Sequence, residues 1–201
     1  MKITKLLAPA LLAGLSLSAS AQKMDLKSGK LDFLKGQKTI NVVYVYDNMG
    51  VGKGTEAEYV NEKVAKYNKD EPGKGDKWKA GWLSARTRQY QPSFEELLNK
   101  QLGEKGVKVG NFPDAPYTLI LKTTFTEPGF NVGVMRMPAY TNSEAVFVKT
   151  GTTAEEAVVT MMKAPGRDAM GYDFDAGARI GEAYAKSGKS LGSFIIKKKV
   201  I

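Results

Sequence analysis

The sequence predicts one domain of the α+β class, in which a mostly antiparallel sheet carries its helices mainly on one face. Three observations predict this class. A β-branched and aromatic strand opens the domain, helices with capping signals follow it, and several strand-like segments precede a last amphipathic helix. Helices and strands that are segregated along a chain in this way bury their apolar faces best as one layer on another.

The first 21 residues have the pattern of an export signal. Two lysines precede the apolar run Leu6–Leu17, and Ala19-Ser20-Ala21 supplies the small side chains that a signal peptidase needs. The apolar run is too short to span a bilayer. We therefore expect a signal peptide over residues 1–21, cleaved between Ala21 and Gln22. The mature chain should be periplasmic or secreted and should contain no transmembrane span.

Composition narrows the chemistry further. The chain has no Cys and no His, and its formal net charge is +9. Without these residues it can form no disulfide, accept no lipid on a Cys, and build no Ser-His-Asp or Cys-His site and no zinc site on Cys or His. Carboxylate chemistry remains open, but we expect a protein that is not an enzyme and has no cofactor. The basic excess suits an anionic envelope partner, whereas the export signal argues against nucleic acid.

The first half of the mature chain reads as a lead, a strand and a helix. Residues 22–38 have few apolar positions and predict an extended lead to a single α+β domain over residues 39–201. The run 39–46 is nearly all apolar and predicts a buried strand. Thr55 followed by Glu58 is a capping box, which predicts that a helix begins there.

Two more helices are predicted before the sheet resumes. Apolar spacing indicates a helix over Asp76–Gln89. Pro92-Ser93 is expected to end it and to begin another, with Ser93 and Glu96 as a second capping box. Gly103 and Gly106 are expected to end that helix.

The following segments predict strands that are joined by short turns. Glu127-Pro128-Gly129 is a turn signal, so we expect an antiparallel meander around it. The predicted strands are Val107–Val109, Tyr117–Phe125, Ala145–Lys149 and Ala157–Met162.

A final helix is predicted from Asp175 onward, with a row of glycines beside its apolar face. The row consists of Gly177, Gly181, Gly188 and Gly192. Because each glycine weakens a helix by about 1 kcal/mol, the row indicates close approach to another backbone. The alternative is that Gly188 ends the helix and a short strand follows over Leu191–Lys197.

Several of these segments resemble exported bacterial envelope proteins. The residues that carry the resemblance are Phe94, Leu97, Leu98 and Leu102, then Ala115, Tyr117, Leu119 and Leu121, then Arg179, Ile180, Ala183 and Tyr184. The chain resembles the fold of the penicillin-binding-protein activator lipoproteins, the curli-secretion lipoprotein and the TolB N-terminal domain. Trp78, Trp82 and the turn at residues 127–131 are similar to a secreted branch typical of Bacteroidetes. The resemblance implies an envelope accessory or assembly role with no catalytic residues, although this chain lacks the Cys that anchors many of those proteins to lipid.

One cluster has the composition of a ligand surface. It combines aromatic rings with cations over one short stretch, which suits stacking on a sugar and attraction of an anionic polymer. Its members are Trp78, Trp82, Arg86, Arg88 and Tyr90. The alternative is that both tryptophans pack into the core while the cations lie in water.

A glycine-rich loop between the first strand and the first helix is a second candidate. Its residues are Gly50, Gly52, Lys53, Gly54 and Thr55. The order of these residues is similar to that in the phosphate loop of adenylate kinases, where backbone N–H groups at a helix start bind an anion. Asp47 and Met49 depart from that pattern. The alternative is a glycine-rich turn that only precedes a capped helix.

Carboxylates offer a weaker third site. Asp168, Asp173 and Asp175 could ligate calcium, and these or Glu155-Glu156 could form an acid–base pair. The C-terminal residues 197–201 predict a solvated basic tail.

The sequence as a whole predicts an exported, noncatalytic envelope accessory or binding protein. Its expected partner is an envelope protein or an anionic envelope polymer. The alternatives are a carboxylate-based hydrolase of envelope polysaccharide and an anion- or nucleotide-binding protein that uses Gly50–Thr55.

Overall fold

Ten strands and four helices make up the part of the chain that the computed structural model describes, namely residues 22–132, 135–166 and 176–201. The expected signal peptide lies outside the described residues. The helices are α1 (Glu56–Asp70), α2 (Lys74–Ala85), α3 (Gln91–Leu102) and α4 (Ala176–Lys197). The strands are β1 (Lys23–Gly29), β2 (Thr39–Val45), β3 (Gly50–Val51), β4 (Gly54–Thr55), β5 (Lys108–Gly110), β6 (Tyr117–Glu127), β7 (Phe130–Val132), β8 (Met135–Met137), β9 (Tyr140–Lys149) and β10 (Glu155–Pro165).

The main sheet is mixed, which corrects the predicted mostly antiparallel sheet within a class that is otherwise confirmed as α+β. Its order is β1-β10-β9-β6-β2-β5, with β3 pairing β6 and β4. The meander β6-β9-β10 is antiparallel as predicted. However, β2 runs parallel to both β5 and β6. The helices between β2 and β5 return the chain to the same end of the sheet, and such a crossover produces parallel neighbours.

The lead over residues 22–38 contributes an edge strand. Strand β1 pairs antiparallel with β10, and a 3₁₀ turn at Asp32–Leu34 follows it. Leu31 and Leu34 are buried in the core. The lead therefore belongs to the same hydrophobic unit as the rest of the domain.

The opposite edge of the sheet is closed by a side chain. The carboxamide of Asn99 on α3 donates to the Val109 carbonyl at 2.7 Å and accepts from the Val109 N–H at 2.7 Å. An exposed strand edge is a template for pairing with another chain. Asn99 satisfies the outward-facing groups of the central residue of β5 and so blunts this edge.

The capping box of α1 is confirmed. Thr55 Oγ1 accepts from the Glu58 N–H at 3.2 Å, and Glu58 Oε2 accepts from the Thr55 N–H at 2.8 Å. The left-handed backbone at Gly106 (φ 74°) stops the helical path after α3, as the sequence predicted.

The predicted break at Pro92-Ser93 and its second capping box are wrong. Helices α2 and α3 are continuous through a π-helical segment, Arg86–Tyr90, and Ser93 caps nothing. Within the segment the Gln91 N–H donates to the Arg86 carbonyl, one residue farther back than in an α-helix. The wider turn gives the ring of Pro92 room that a regular helix would deny it.

Helix α4 runs unbroken past Gly188 to Lys197, so the alternative with a terminal strand is wrong. The predicted close approach is found on α3 and the π segment. A Cβ at Gly188 would overlap the Phe94 carbonyl oxygen, and one at Gly192 would lie 2.5 Å from Gln101 Cβ. Gly181 faces Gln89. Residue numbers increase in the same direction along both sides of this contact, so α3 and α4 are parallel.

The core lies between the sheet and the pair α3–α4. Phe94, Leu98, Ile180 and Leu191 bury fully against sheet residues such as Phe147. The other face of the sheet presents Val43, Lys122 and Met162 to solvent. Among the described helices, none has both the length and the apolar character that crossing a bilayer requires.

The C-terminal residues do not form the solvated tail that the sequence predicted. Lys197, Lys198 and Lys199 are exposed, but Val200 is buried in the core near Leu31. Left-handed backbone at Lys199 (φ 56°) turns the chain so that Val200 points inward. The lysines are therefore held on a fixed turn.

The contact between α3 and α4 predicts opposite effects for two Gly→Ala substitutions. Gly188→Ala should lower the free energy of unfolding by about 2–3 kcal/mol, because its methyl group overlaps the α3 backbone. Gly81→Ala, in α2 with no atom of the described residues within 4 Å of the added Cβ, should raise it by up to about 1 kcal/mol. Urea unfolding measures both, and equal effects of the two substitutions would contradict the close contact.

Candidate functional site

Four aromatic rings from α1 and α2 pack together on the outer side of the helical layer. Trp78 and Trp82 stack at a ring separation of 5.6 Å. Tyr59 lies 6.0 Å from Trp78 and 5.3 Å from Trp82, and Tyr67 lies 5.9 Å from Trp78. The i, i+4 spacing of the tryptophans on α2 places both indoles toward α1. Trp82 is buried, whereas Trp78 is only partly covered.

One carboxylate fixes this group to the π segment. Glu56, in the first turn of α1, accepts from Trp82 Nε1 at 2.7 Å and from Arg86 Nη2 at 2.6 Å. The Arg86 guanidinium also lies over the Tyr46 ring, 4.2 Å from its centroid. Arg86 is thereby neutralised and stacked, which leaves Arg88 as the exposed guanidinium of the segment.

A cavity of about 280 Å³ opens between α2, the π segment and the start of α4. Its lining residues are Trp78, Gly81, Trp82, Ala85, Arg88, Gln89, Tyr90, Ala176 and Gly177. The buried Oε1 atom of Gln89 has no hydrogen-bond partner among the residues that the structure describes. The volume lies just below the usual range for ligand pockets and suits a single ring.

The structure brings four of the five predicted ligand-surface residues to this cavity and separates the fifth. Trp78, Trp82, Arg88 and Tyr90 line it, while Arg86 points to Glu56. Tyr90 is itself buried and stacks on Tyr184 at 5.0 Å. Trp82 and Tyr90 therefore pack into the core, as the alternative to a ligand surface predicted for the tryptophans. Trp78 and Arg88 keep surface that a ligand can reach.

The sequence reasoning missed the residues that position this site. The sequence pattern predicted no role for Glu56 in a site, and it placed Gln89 only at the end of a predicted helix. Tyr59 lies next to an apolar position of α1. Its contact with the tryptophans could not be predicted from the sequence, because it depends on the way α2 folds back on α1. The aromatic content of α1 was the one available signal.

The glycine-rich loop forms a tight hairpin. Gly50 pairs with Thr55 and Val51 with Gly54, and Gly52 takes left-handed backbone (φ 60°), so that Lys53 lies exposed at the tip. The Glu58 carboxylate accepts hydrogen bonds from both the N–H and the hydroxyl of Thr55. An internal anion thus occupies the donors that a bound phosphate would need, and this geometry does not favour an anion-binding loop.

The remaining candidates contribute little to a site. Asp168, Asp173 and Asp175 lie outside the described residues. Glu155 and Glu156 are exposed at the start of β10. No cluster of three or more potential metal ligands occurs in the described part of the chain.

Buried and partly buried tyrosines lie on the inner side of the site. Tyr44 donates to Glu95 at 2.8 Å, and burial together with this carboxylate raises the pKa of Tyr44 well above its usual value. Burial likewise raises the pKa values of Tyr46 and Tyr184, and it raises that of Tyr59 to about 12.

Comparison with known proteins leaves the chain without an assigned family. No family model matches it, and no curated protein matches it. Among solved structures, it is similar to PelC from Paraburkholderia phytofirmans, a dodecamer, at 14% identity and a TM-score of 0.37, covering 83% of this chain and 96% of PelC. A point variant of that dodecamer gives 12% identity and a TM-score of 0.35, covering 83% and 97% of the two chains. The resemblance to the three envelope families named above stays a prediction.

Removal of the Glu56 carboxylate should loosen the site. Glu56→Ala is expected to lower the free energy of unfolding by about 1–3 kcal/mol, because it leaves Arg86 and the Trp82 N–H unpaired. Glu56→Gln should cost less, since its amide oxygen can still accept from Trp82. Urea unfolding followed by tryptophan fluorescence measures both, with exposed Glu62→Gln as the control. A cost for Glu62→Gln equal to that for Glu56→Ala would contradict the bridging role.

The tyrosine environment predicts a loss of stability in alkali. The unfolded chain ionises its tyrosines near pH 10, whereas Tyr44, Tyr46, Tyr59 and Tyr184 stay protonated in the folded state. Above pH 10 the unfolded state therefore binds fewer protons than the folded state. The free energy of unfolding should fall as pH rises from 10 toward 12, by up to about 1.4 kcal/mol for each pH unit and each tyrosine. Urea unfolding at several pH values, with absorbance at the phenolate band, measures this. Titration of all nine tyrosines near pH 10 in the folded protein would contradict it.

Proposed function

We propose that this chain is exported and acts without catalysis as an accessory or binding protein of the cell envelope. Its signal peptide would be removed between Ala21 and Gln22, which leaves it periplasmic or secreted. The leader pattern and the lack of Cys and His support this proposal.

The cavity beside Trp78 carries the proposal for what is bound. It offers a partly exposed indole at Trp78 and an exposed guanidinium at Arg88. An indole face stacks on the apolar face of a sugar ring, and a guanidinium binds a carboxylate or sulfate in a fork geometry. We therefore assign an acidic glycan, a segment of an anionic envelope polymer, as the ligand.

The described part of the lining offers no carboxylate pair for turnover. None of the described residues that line the cavity is acidic. A glycoside hydrolase needs two carboxyl groups across the scissile bond. The nearest described carboxylate in the network, Glu56, is paired with Arg86.

Titration of the mature chain with acidic and neutral oligosaccharides, followed by tryptophan fluorescence, tests the proposal. Arg88→Gln should weaken binding of the acidic ligand about tenfold and leave any neutral ligand unaffected, because only the charge-assisted contact is lost. Lys122→Gln removes the same charge from the opposite sheet face and should change nothing. Equal effects of these two substitutions would contradict a specific role for Arg88.

Two further variants separate the cavity from the stability of the fold. Trp78→Ala should abolish binding of both ligand classes. Gly81→Leu, whose side chain would enter open space in the cavity, should do the same with Trp78 intact. Binding that survives Gly81→Leu would place the ligand elsewhere, and failure of every oligosaccharide to alter the fluorescence would refute the proposal.

A further inference from the structure

The two ends of the described chain meet at one end of the molecule. Leu31 from the lead and Val200 from the C-terminal turn are both buried there. They border a small hollow that is also lined by Lys30, Asp32 and Lys198. The exposed lysines on either side are therefore carried by segments that the core holds in place.

Lysines converge on this end from other elements as well. Because α3 and α4 are parallel, both helices end here. Strands β2 and β5 begin here, and the Lys108 N–H donates to the Lys38 carbonyl. We call this end the basic pole. Its exposed lysines are Lys30, Lys35, Lys38, Lys105, Lys108, Lys197, Lys198 and Lys199.

Few carboxylates in the described residues offset this charge. Asp32 accepts a hydrogen bond from Lys35 at 3.0 Å, and this bond, together with the charges of Lys35 and Lys30, lowers the pKa of Asp32. Glu104 lies in the 3₁₀ turn after α3, and Glu155 and Glu156 lie farther along the same sheet end. Asp114, in the loop that leads into β6, also lies at this end, so eight lysines face five carboxylates and the pole keeps a positive excess.

The kind of cation and the arrangement of the pole indicate its partner. Its cations are all lysines, which are hydrated point charges, whereas the fork of an arginine suits a specific bidentate ligand. They are spread over several turns and strand ends rather than along one groove. We propose that the basic pole docks the protein onto a bilayer surface that displays anionic headgroups.

Docking of this kind would also orient the cavity. Ala176 and Gly177 at the start of α4 line the cavity, whereas Lys197 at its end belongs to the pole. A helix of 22 residues is about 30 Å long. The bound protein would hold the cavity about that far from the lipid surface and facing away from it. The docking itself does not depend on what the cavity binds.

Vesicle co-sedimentation of the chain that begins at Gln22 tests the inference. We expect binding to vesicles of phosphatidylglycerol and phosphatidylcholine that weakens at high ionic strength, and none to phosphatidylcholine alone. Replacement of Lys197, Lys198 and Lys199 by Gln should weaken binding on the order of 100-fold, and replacement by Arg should preserve it. The matched control replaces Lys66, Lys69 and Lys79 by Gln, three exposed lysines of α1 and α2, and should bind as the parent does.

Each other outcome overturns the inference. Equal loss in both Gln triples would mean that net charge alone drives binding. Binding to neutral vesicles would show that the attraction is not electrostatic. Binding of soluble heparin but of no vesicle would assign the pole to a polyanion instead of a bilayer. Thermal unfolding of each variant confirms that the compared proteins are folded.

Discussion

Close parallel packing of α3 against α4 is the contact on which the rest of the structure depends. It requires glycine at residue 188, where any side chain would meet the Phe94 carbonyl. The loss of helix propensity at such glycines is offset by the apolar area that two helices bury at short range. Because the helices are parallel, their beginnings lie together at the aromatic cavity and their ends lie together at the basic pole. Both candidate surfaces thus follow from one helix pair.

The π segment adapts this arrangement to the first helical layer. Trp82 and Arg86 lie four residues apart and share the Glu56 carboxylate. The extra residue of the wider turn then rotates the side chains that follow, so that Tyr90 stacks on Tyr184 of α4 instead of continuing the stripe toward α1. One continuous helical path can therefore contact α1 before the segment and α4 after it. π turns occur frequently at functional sites, and here the segment lies in the cavity wall.

Local signals in the sequence predicted the parts of the fold that local physics decides. The capping box at Thr55, the antiparallel meander and the glycine row of α4 are such parts. Strand direction was not predictable in this way, because β2 and β6 become parallel neighbours only through the long helical connection between them. Pro92 was equally misleading: its usual effect is to end a helix, and only the tertiary contacts of the π segment accommodate it. At the site, composition located the cluster, but separating Arg86 from Arg88 required knowledge of where Glu56 lies.

The electrostatics of α4 connect its two ends. A helix has a partial positive charge at its beginning and a partial negative charge at its end. At the cavity, the exposed guanidinium of Arg88 favours an anionic ligand. At the pole, the lysines that follow α4 reverse the sign that the helix end alone would give. Both ends of the molecule therefore attract anions, but they differ in form: one is a cavity that admits a single ring, and the other is a spread of point charges that matches an extended surface.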